Sequence, residues 1–277
     1  MRIDEVRKTW GESFDGDTRL LDSFEKSIQR FIDRKISINE FVDGINDLDQ
    51  WAYNMYYREP QKSNWMNIGQ NKNYPIIKET VWTAIFEHVR KIAIENTNIE
   101  FTLIQGKSGG SVAVAVFEDG TIKTKDVDTG IAIKHPDGFL VPVIAGECKG
   151  GHACSSVHDG IWGQAVRMKK QFPNSVQVLI TDNQITVGKK YDVSAYEEID
   201  FVISERGPNV GKMKDQKDNF IDKSIVTKSI EIFVNLLSKQ SVTHWFTMNP
   251  HQINIGETYR SSVDKHGIFI SPKHRSF

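Results

Sequence analysis

Cysteine is scarce in this chain of 277 residues: Cys148 and Cys154 are the full complement. Two are too few for a disulfide framework and fit a reducing cytoplasm, which is the expected location. Long apolar runs are missing too. None approaches the roughly 20 residues that a membrane-spanning helix needs, and the first thirty residues are charged and lack a signal-peptide core. A soluble protein with no membrane partner is expected. Neither sign of charge dominates, since 35 basic and 36 acidic residues give a formal net charge of −1. The total therefore announces no polyanionic partner, although a balanced chain can still gather its positive charge in one place. There is no internal repeat, no low-complexity tract and no Gly-x-Ser-x-Gly elbow, and no local motif marks a nucleophilic serine or cysteine. The run Gly106 to Gly110 invites a phosphate-loop reading, but Phe101 stands where such a loop needs its first glycine. A tight hairpin is expected there instead.

What is present reads as helices first and strands later. Thr18 to Lys35 repeats Leu20, Leu21, Phe24, Ile28, Phe31 and Ile32 at helical spacing, and Ser37 with Glu40 forms a capping box for a second helix reaching Trp51 to Tyr57. Tyr74 to Asn96 follows as a third, with Pro75 in its first turn and Ile77, Val81, Ile85, Val89 and Ile92 as its buried stripe. From Ile99 the period changes to two. Phe101 to Gln105, Ser111 to Phe117, Thr121 to Lys125, Gly130 to Lys134 and Phe139 to Cys148 read as strands. Val157 to Phe172 is then expected as a helix, Val176 to Thr181 and Phe201 to Ser204 as strands, and Asp218 to Lys239 as a long amphipathic helix. Thr243 to Thr247 and Gly267 to Ser271 are expected as short strands, and Glu205 to Lys217 as an exposed loop. The expected fold class is α/β, a mixed central β-sheet flanked by helices with a mainly helical N-terminal section. Residues 1–98 would form that section, packed on a core of 99–277 that carries the C-terminal helix and strands, as one compact unit.

Chemistry concentrates on one hairpin. Asp126 and Asp128 precede the strand Ile131 to Lys134. A His135-Pro136-Asp137-Gly138 turn follows, and the next strand ends in Glu147-Cys148-Lys149. If Lys134 faces Phe139, Asp126 lies opposite Glu147, Thr124 lies opposite Lys149, and Asp128 sits diagonally from Glu147. Diagonal neighbours on one sheet face stay within roughly 7–8 Å, so Asp126, Asp128, Glu147 and Lys149 converge. Asp137 is excluded, since ten extended residues at about 3.3 Å each separate it from Glu147. Pro142 within the second strand implies an edge, a bulge or a lost ladder bond. Carboxylates and an ammonium on one face suit a hard divalent ion such as Mg²⁺, which takes oxygen ligands and keeps several waters. The Cys148 backbone carbonyl could add a further oxygen, and a lysine beside the ion can lower the pKa of a water or steady charge growing on phosphorus.

The pattern Asp-x18-Glu-x-Lys across a hairpin, followed by a helix, resembles the PD-(D/E)XK nuclease family. Within it, the stretches Asp128 to Ile133 and Val143 to Lys149 are most similar to type II restriction endonucleases. The resemblance covers roughly residues 100 to 182, and Val127 stands where the family usually has proline. It implies a restriction-endonuclease-like sheet, Mg²⁺ held by Asp128 and Glu147, and Lys149 assisting a nucleophilic water. Glu79 is a further candidate ligand, because a helical glutamate approaches the metal in some members, and Asp126, on the same hairpin face, is another. Glu79 and Glu87, eight residues apart, project about 80° apart, and solvent is the default position for both. The implied activity is site-specific, Mg²⁺-dependent hydrolysis of double-stranded DNA by a homodimer. A structure-specific repair or recombination nuclease of the same fold, or a non-catalytic DNA-binding protein, is the alternative.

Candidate DNA contacts are Lys107, His152, Ser155, Ser156, His158, Gln164, Lys189 and Lys190. The run from Gly150 to Gly160 follows the catalytic strand directly, and its small and polar residues suit close approach to phosphate or base edges. Cys148, His152, Cys154 and His158 offer a rival zinc site. Their spacing matches no common zinc module, and strand alternation turns Cys148 away from Glu147 and Lys149.

Overall fold

A computed structural model of the chain describes residues 19–57, 74–106, 111–117, 120–152, 155–183, 185–186, 189–190, 197–206 and 221–249, with residues 4, 7 and 8. At 20, 49–57, 74–75, 150–152, 155–159, 182–183, 185–186 and 189–190 the description is of the backbone alone.

Three helices open the described chain: α1 (Arg19–Ile32), α2 (Ile38–Tyr57) and α3 (Tyr74–Thr97). The helical spacing in α1 does what it predicts, burying Leu21, Phe24, Ile28, Phe31 and Ile32 on one side. The helix ends because Arg34 takes a left-handed φ of 57°, which lets the Lys35 N–H reach back to the Arg30 carbonyl at 2.7 Å. The expected capping box then starts α2. Glu40 N–H donates to Ser37 Oγ at 3.2 Å, and Ser37 N–H donates to the Glu40 carboxylate at 2.8 Å. Phe31 and Phe41 stack with centroids 4.1 Å apart, locking the two helices together.

Helix α3 is the central pillar. It packs against α1 on one side and against the sheet and the C-terminal helix on the others. Val81, Trp82, Ala84, Ile85, Phe86, Val89 and Ala93 are all buried, a wider set than the single stripe read from sequence. The outer stripe positions Ile77 and Ile92 are only half-buried. Each large apolar side chain fully buried here contributes about 1.5–3 kcal/mol.

The strands are β1 (Phe101–Ile104), β2 (Val112–Val116), β3 (Ile122–Lys125), β4 (Thr129–Lys134), β5 (Leu140–His152), β6 (Val176–Asn183), β7 (Ile185–Thr186), β8 (Lys189–Lys190) and β9 (Phe201–Ser204). Helix α4 (Ser155–Gln171) joins β5 to β6, and α5 (Lys223–Lys239) and α6 (Val242–Trp245) follow β9. A five-stranded sheet has the order β1-β4-β5-β6-β9; β1, β4 and β5 pair antiparallel, while β5, β6 and β9 pair parallel. This is the mixed sheet with flanking helices that the sequence predicts. The parallel half needs a crossover, and α4 supplies the one between β5 and β6.

Three expectations need correction. β1 and β2 are not hairpin partners: β1 pairs with β4, and β2 pairs with β3 in a separate two-stranded sheet. Thr243 to Thr247 is not a strand, because Ser241 Oγ caps the short helix α6, whose Trp245 is buried. The α5 helix starts at Lys223 rather than Asp218, since Asp222 is its N-cap and accepts from Ser224 N–H at 2.8 Å. The expected strand at Gly267 to Ser271 and the expected loop beyond Arg206 lie outside the described residues. No helix among the described residues is long and apolar enough to cross a membrane.

Candidate functional site

The site grows from the register of the β4–β5 hairpin. His135 N–H donates to the Phe139 carbonyl at 2.8 Å, and the ladder opens with Lys134 opposite Leu140, one residue beyond the expected partner. A bulge then adds a second offset, since Ala132 faces Pro142 while Ile131 faces Ile144, leaving Val143 as the extra residue. Pro142 has no N–H to give to a ladder, which accounts for the irregularity there. Beyond the bulge the two offsets add to an even number, so the side chains from Ile144 to Lys149 keep their expected faces. With Thr129 opposite Gly146, it is Asp128, rather than Asp126, that continues to a position opposite Glu147.

Asp128, Glu147 and Lys149 come together. The Cys148 backbone N–H donates to Asp128 Oδ2 at 2.8 Å, and Lys149 Nζ donates to Glu147 Oε1 at 2.8 Å. The glutamate side chain is 17% exposed and the lysine 34%, so the pair opens to solvent on one side only. Gly130 makes the approach possible. Its φ is +150°, and a Cβ there would lie 2.1 Å from the Ile144 carbonyl oxygen.

The electrostatics are those of an acid pair short of positive charge. Burial pushes the Asp128 carboxyl up to about 7, with the negative charges of Glu147 and Glu79 adding to the rise. The Cys148 N–H and Lys149 oppose it. For Lys149, burial alone would lower the pKa, but Glu147 and Asp128 outweigh it and hold the ammonium charged above its ordinary range. Glu79, half-buried on α3, therefore acts on the same spot as Asp128. Asp126 is engaged elsewhere, accepting from Ser111 Oγ at 2.5 Å. Glu87 pairs with Arg90 at 2.6 Å.

Cys148 turns its sulfur into the core, as strand alternation predicts, and burial raises its thiol pKa well above the usual value. That removes the first proposed zinc ligand from any surface site. Among the described residues no group of three or more His, Cys, Asp and Glu side chains is set to hold a metal. Two carboxylates alone still fit Mg²⁺, which is usually held by one or two of them with water and phosphate completing the shell. Burial and the acidic neighbours raise the Asp128 pKa, and a cation beside the carboxylate would lower it again.

The other candidates fall in several places. Gln164 is buried on α4, and its Oε1 accepts from Lys125 Nζ. His152 ends β5, Ser155, Ser156 and His158 open α4, and Lys189 and Lys190 form β8; their side chains, like the whole of Lys107 and Cys154, lie outside the described residues. Two residues at the site escaped the sequence reading. Lys125 feels the charges of Glu147 and Asp128, Arg167 acts on Lys125 in turn, and neither belongs to a local motif. A lysine three residues before Asp128 was the available signal.

A mixed sheet with helices on its faces and a helical N-terminal section defines a restriction-endonuclease-like α/β fold. No family model matches the chain, and no curated protein matches it. Among solved structures it is similar to the native A2B2 tetramer of BbvCI, with a TM-score of 0.51 and 15% sequence identity over 87% of this chain and 95% of that one. At that identity the likeness shows the fold.

Proposed function

We propose that the protein is a Mg²⁺-dependent endonuclease of the PD-(D/E)XK type that cuts double-stranded DNA at specific sites, acting as a homodimer in a restriction role. The observation that carries this reading is the partial burial of Asp128 where Glu147 and Glu79 act on it, with its carboxyl pKa pushed up to about 7. Converging acids at a strand end are costly unless a cation joins them. Asp128, Glu147 and the Cys148 carbonyl are the proposed ligands, with Glu79, which acts electrostatically on Asp128, a candidate to reach the ion through a water. A bound Mg²⁺ would polarise a phosphoryl oxygen and lower the pKa of a water.

The chain's own groups then have separate tasks. Cys148 N–H fixes the Asp128 carboxylate, and Glu147 holds Lys149 within reach of the attacking water. That water gives up a proton to solvent as its oxygen adds to phosphorus, the bond from phosphorus to one deoxyribose oxygen breaks, and the departing oxygen takes up a proton from solvent. Lys149 stabilises the negative charge that builds on phosphorus in between. β5 runs directly from Glu147 to His152, and α4 begins at Ser155. This position is what supports a DNA-facing role for His152, Ser155, Ser156 and His158. Two identical sites related by a two-fold axis would cut both strands of a palindrome.

Digestion of plasmid DNA with and without Mg²⁺ tests the proposal. Discrete bands support site-specific cutting, a smear indicates a structure-directed nuclease, and intact DNA under all conditions overturns catalysis. Glu147→Ala and Lys149→Ala should abolish cutting while DNA binding stays measurable.

A further inference from the structure

Positive charge at the site is in short supply. The carboxylates of Glu147 and Glu79 both act on Asp128, and the ammonium of Lys149 is committed to Glu147. A divalent ion would balance the acids and leave little for a DNA phosphate, whose charge grows during attack. The missing charge stands on the other edge of the site. Lys125 is the last residue of β3, and two residues of chain separate it from Asp128, a span of about 10 Å when extended. Its register is pinned by pairing with Val112, and its Nζ donates to Gln164 Oε1 on α4. Gln164 is 5% exposed, so the ammonium is drawn into the wall of the site. Arg167, three residues further along α4 on the same side, is exposed and donates from Nε to the Gly163 carbonyl at 3.0 Å.

A structural role explains this badly. Among the described residues the acceptor of Lys125 is a neutral amide and no carboxylate pairs with it, so even half-burying its charge there is unfavourable. Glu147 and Asp128 do act on it from a distance, as do the cations Arg167 and Lys149, and burial is the largest influence, lowering its pKa. An ammonium parked on a weak acceptor beside two carboxylates is available to a stronger partner.

We propose that Lys125 and Arg167 form a second phosphate-binding edge of the cleavage site, and that Lys125 leaves Gln164 to contact a non-bridging oxygen of the DNA backbone next to the bond being cut. This rests on the nuclease reading and adds a substrate-contacting lysine that the Glu147-Cys148-Lys149 motif does not contain.

The test compares Lys125→Ala, Lys125→Arg, Arg167→Ala and Gln164→Leu in the full-length chain, each checked for a folded thermal transition. Plasmid cleavage is measured with Mg²⁺. Binding to a short mixed-sequence duplex is measured across a salt series in the inactive Glu147→Ala background. Removing one cation that touches a phosphate should lower the slope of log affinity against log salt by about one. Lys125→Ala and Arg167→Ala should each show that decrease, with Lys125→Ala cutting about 10²-fold more slowly. Lys125→Arg should keep the slope, and Gln164→Leu should keep it too, because it removes the parking place and not the charge. Unchanged slope and wild-type cutting by Lys125→Ala overturn the inference while leaving the nuclease reading intact. If Gln164→Leu loses as much slope and activity as Lys125→Ala, Lys125 is only a structural prop and the inference falls. A wild-type chain that neither binds nor cuts duplex DNA overturns both.

Discussion

The backbone N–H of Cys148 donates to the carboxylate of Asp128 at 2.8 Å, so the acid that begins one strand is gripped by the main chain of the next. The contact spans the hairpin between the two acids and fixes Asp128 by main-chain geometry alone. It is a local bond with a large electrostatic setting, because Asp128 is also a group that burial and its acidic neighbours disfavour as an anion.

Asp128 makes the metal-free protein sensitive to pH. An acid whose pKa rises on folding, here from 3.8 to about 7, contributes its full stabilisation below 3.8 and loses it as the pH rises through 7. Thermal midpoints of the metal-free chain should therefore fall between pH 4 and 8, and Asp128→Asn should flatten that decline. Added Mg²⁺ should raise the midpoint of the wild type at pH 8 and not that of the variant. At this chain length each kcal/mol moves the midpoint by about 2–4 °C.

His88 works in the opposite direction. Burial holds its pKa below 6.5, its Nδ1 finds no partner among the described residues, and its ring stacks on Phe31 with centroids 4.4 Å apart. A histidine whose pKa is depressed by folding contributes stability that is present above 6.5 and lost as the pH falls through its folded value. Urea melts from pH 7 to 5 should show α1 and α3 loosening on the acid side, and His88→Phe should remove that dependence.

Lys78 and Glu205 form an ion pair at 3.0 Å with both side chains less than 5% exposed, and Trp82 Nε1 donates to the same carboxylate at 2.8 Å. The pair ties α3, which carries Glu79, to the end of β9. Lys78→Met should cost about 3–5 kcal/mol by leaving a buried charge behind. Adding Glu205→Gln, which keeps an acceptor for the indole, should recover much of that loss in a double-mutant cycle. Equal stability of single and double variants would contradict it.

Gly130→Ala should be more damaging than any surface change. Its Cβ would meet the Ile144 carbonyl oxygen at 2.1 Å on a backbone with φ of +150°. Strain of this kind costs about 1–3 kcal/mol before the clash is counted. The expected outcome is a lower denaturation midpoint together with abolished cleavage, because Asp128 is two residues away.

The helices of the first hundred residues were legible because their signals are local: apolar spacing in α1 and the Ser37–Glu40 box before α2 both reappear in the structure. The convergence of Asp128, Glu147 and Lys149 was legible for the same reason, since alternation along a strand is a property of the chain itself. Partner choice was not. The register missed by two because one offset lies in the turn and the other in a bulge beside Pro142, and spacing alone locates neither. β1 pairing with β4 instead of β2, and Lys125 meeting Gln164 across 39 residues, are decided by packing between layers. Thr243 to Thr247 shows the reverse error: a β-branched stretch was read as a strand, while Ser241 and buried Trp245 settled it as a helical turn.

The extra residue at Val143 works as a parity device. Deleting it would exchange the inward and outward positions of everything downstream on that strand, bringing a thiol to the surface while sending an acid and an amine into the oil. The parity of the chain length between the turn and Glu147 is thus under as tight a constraint as the identity of the charged residues themselves, and a single-residue indel there should be lethal to activity where a point change is tolerated.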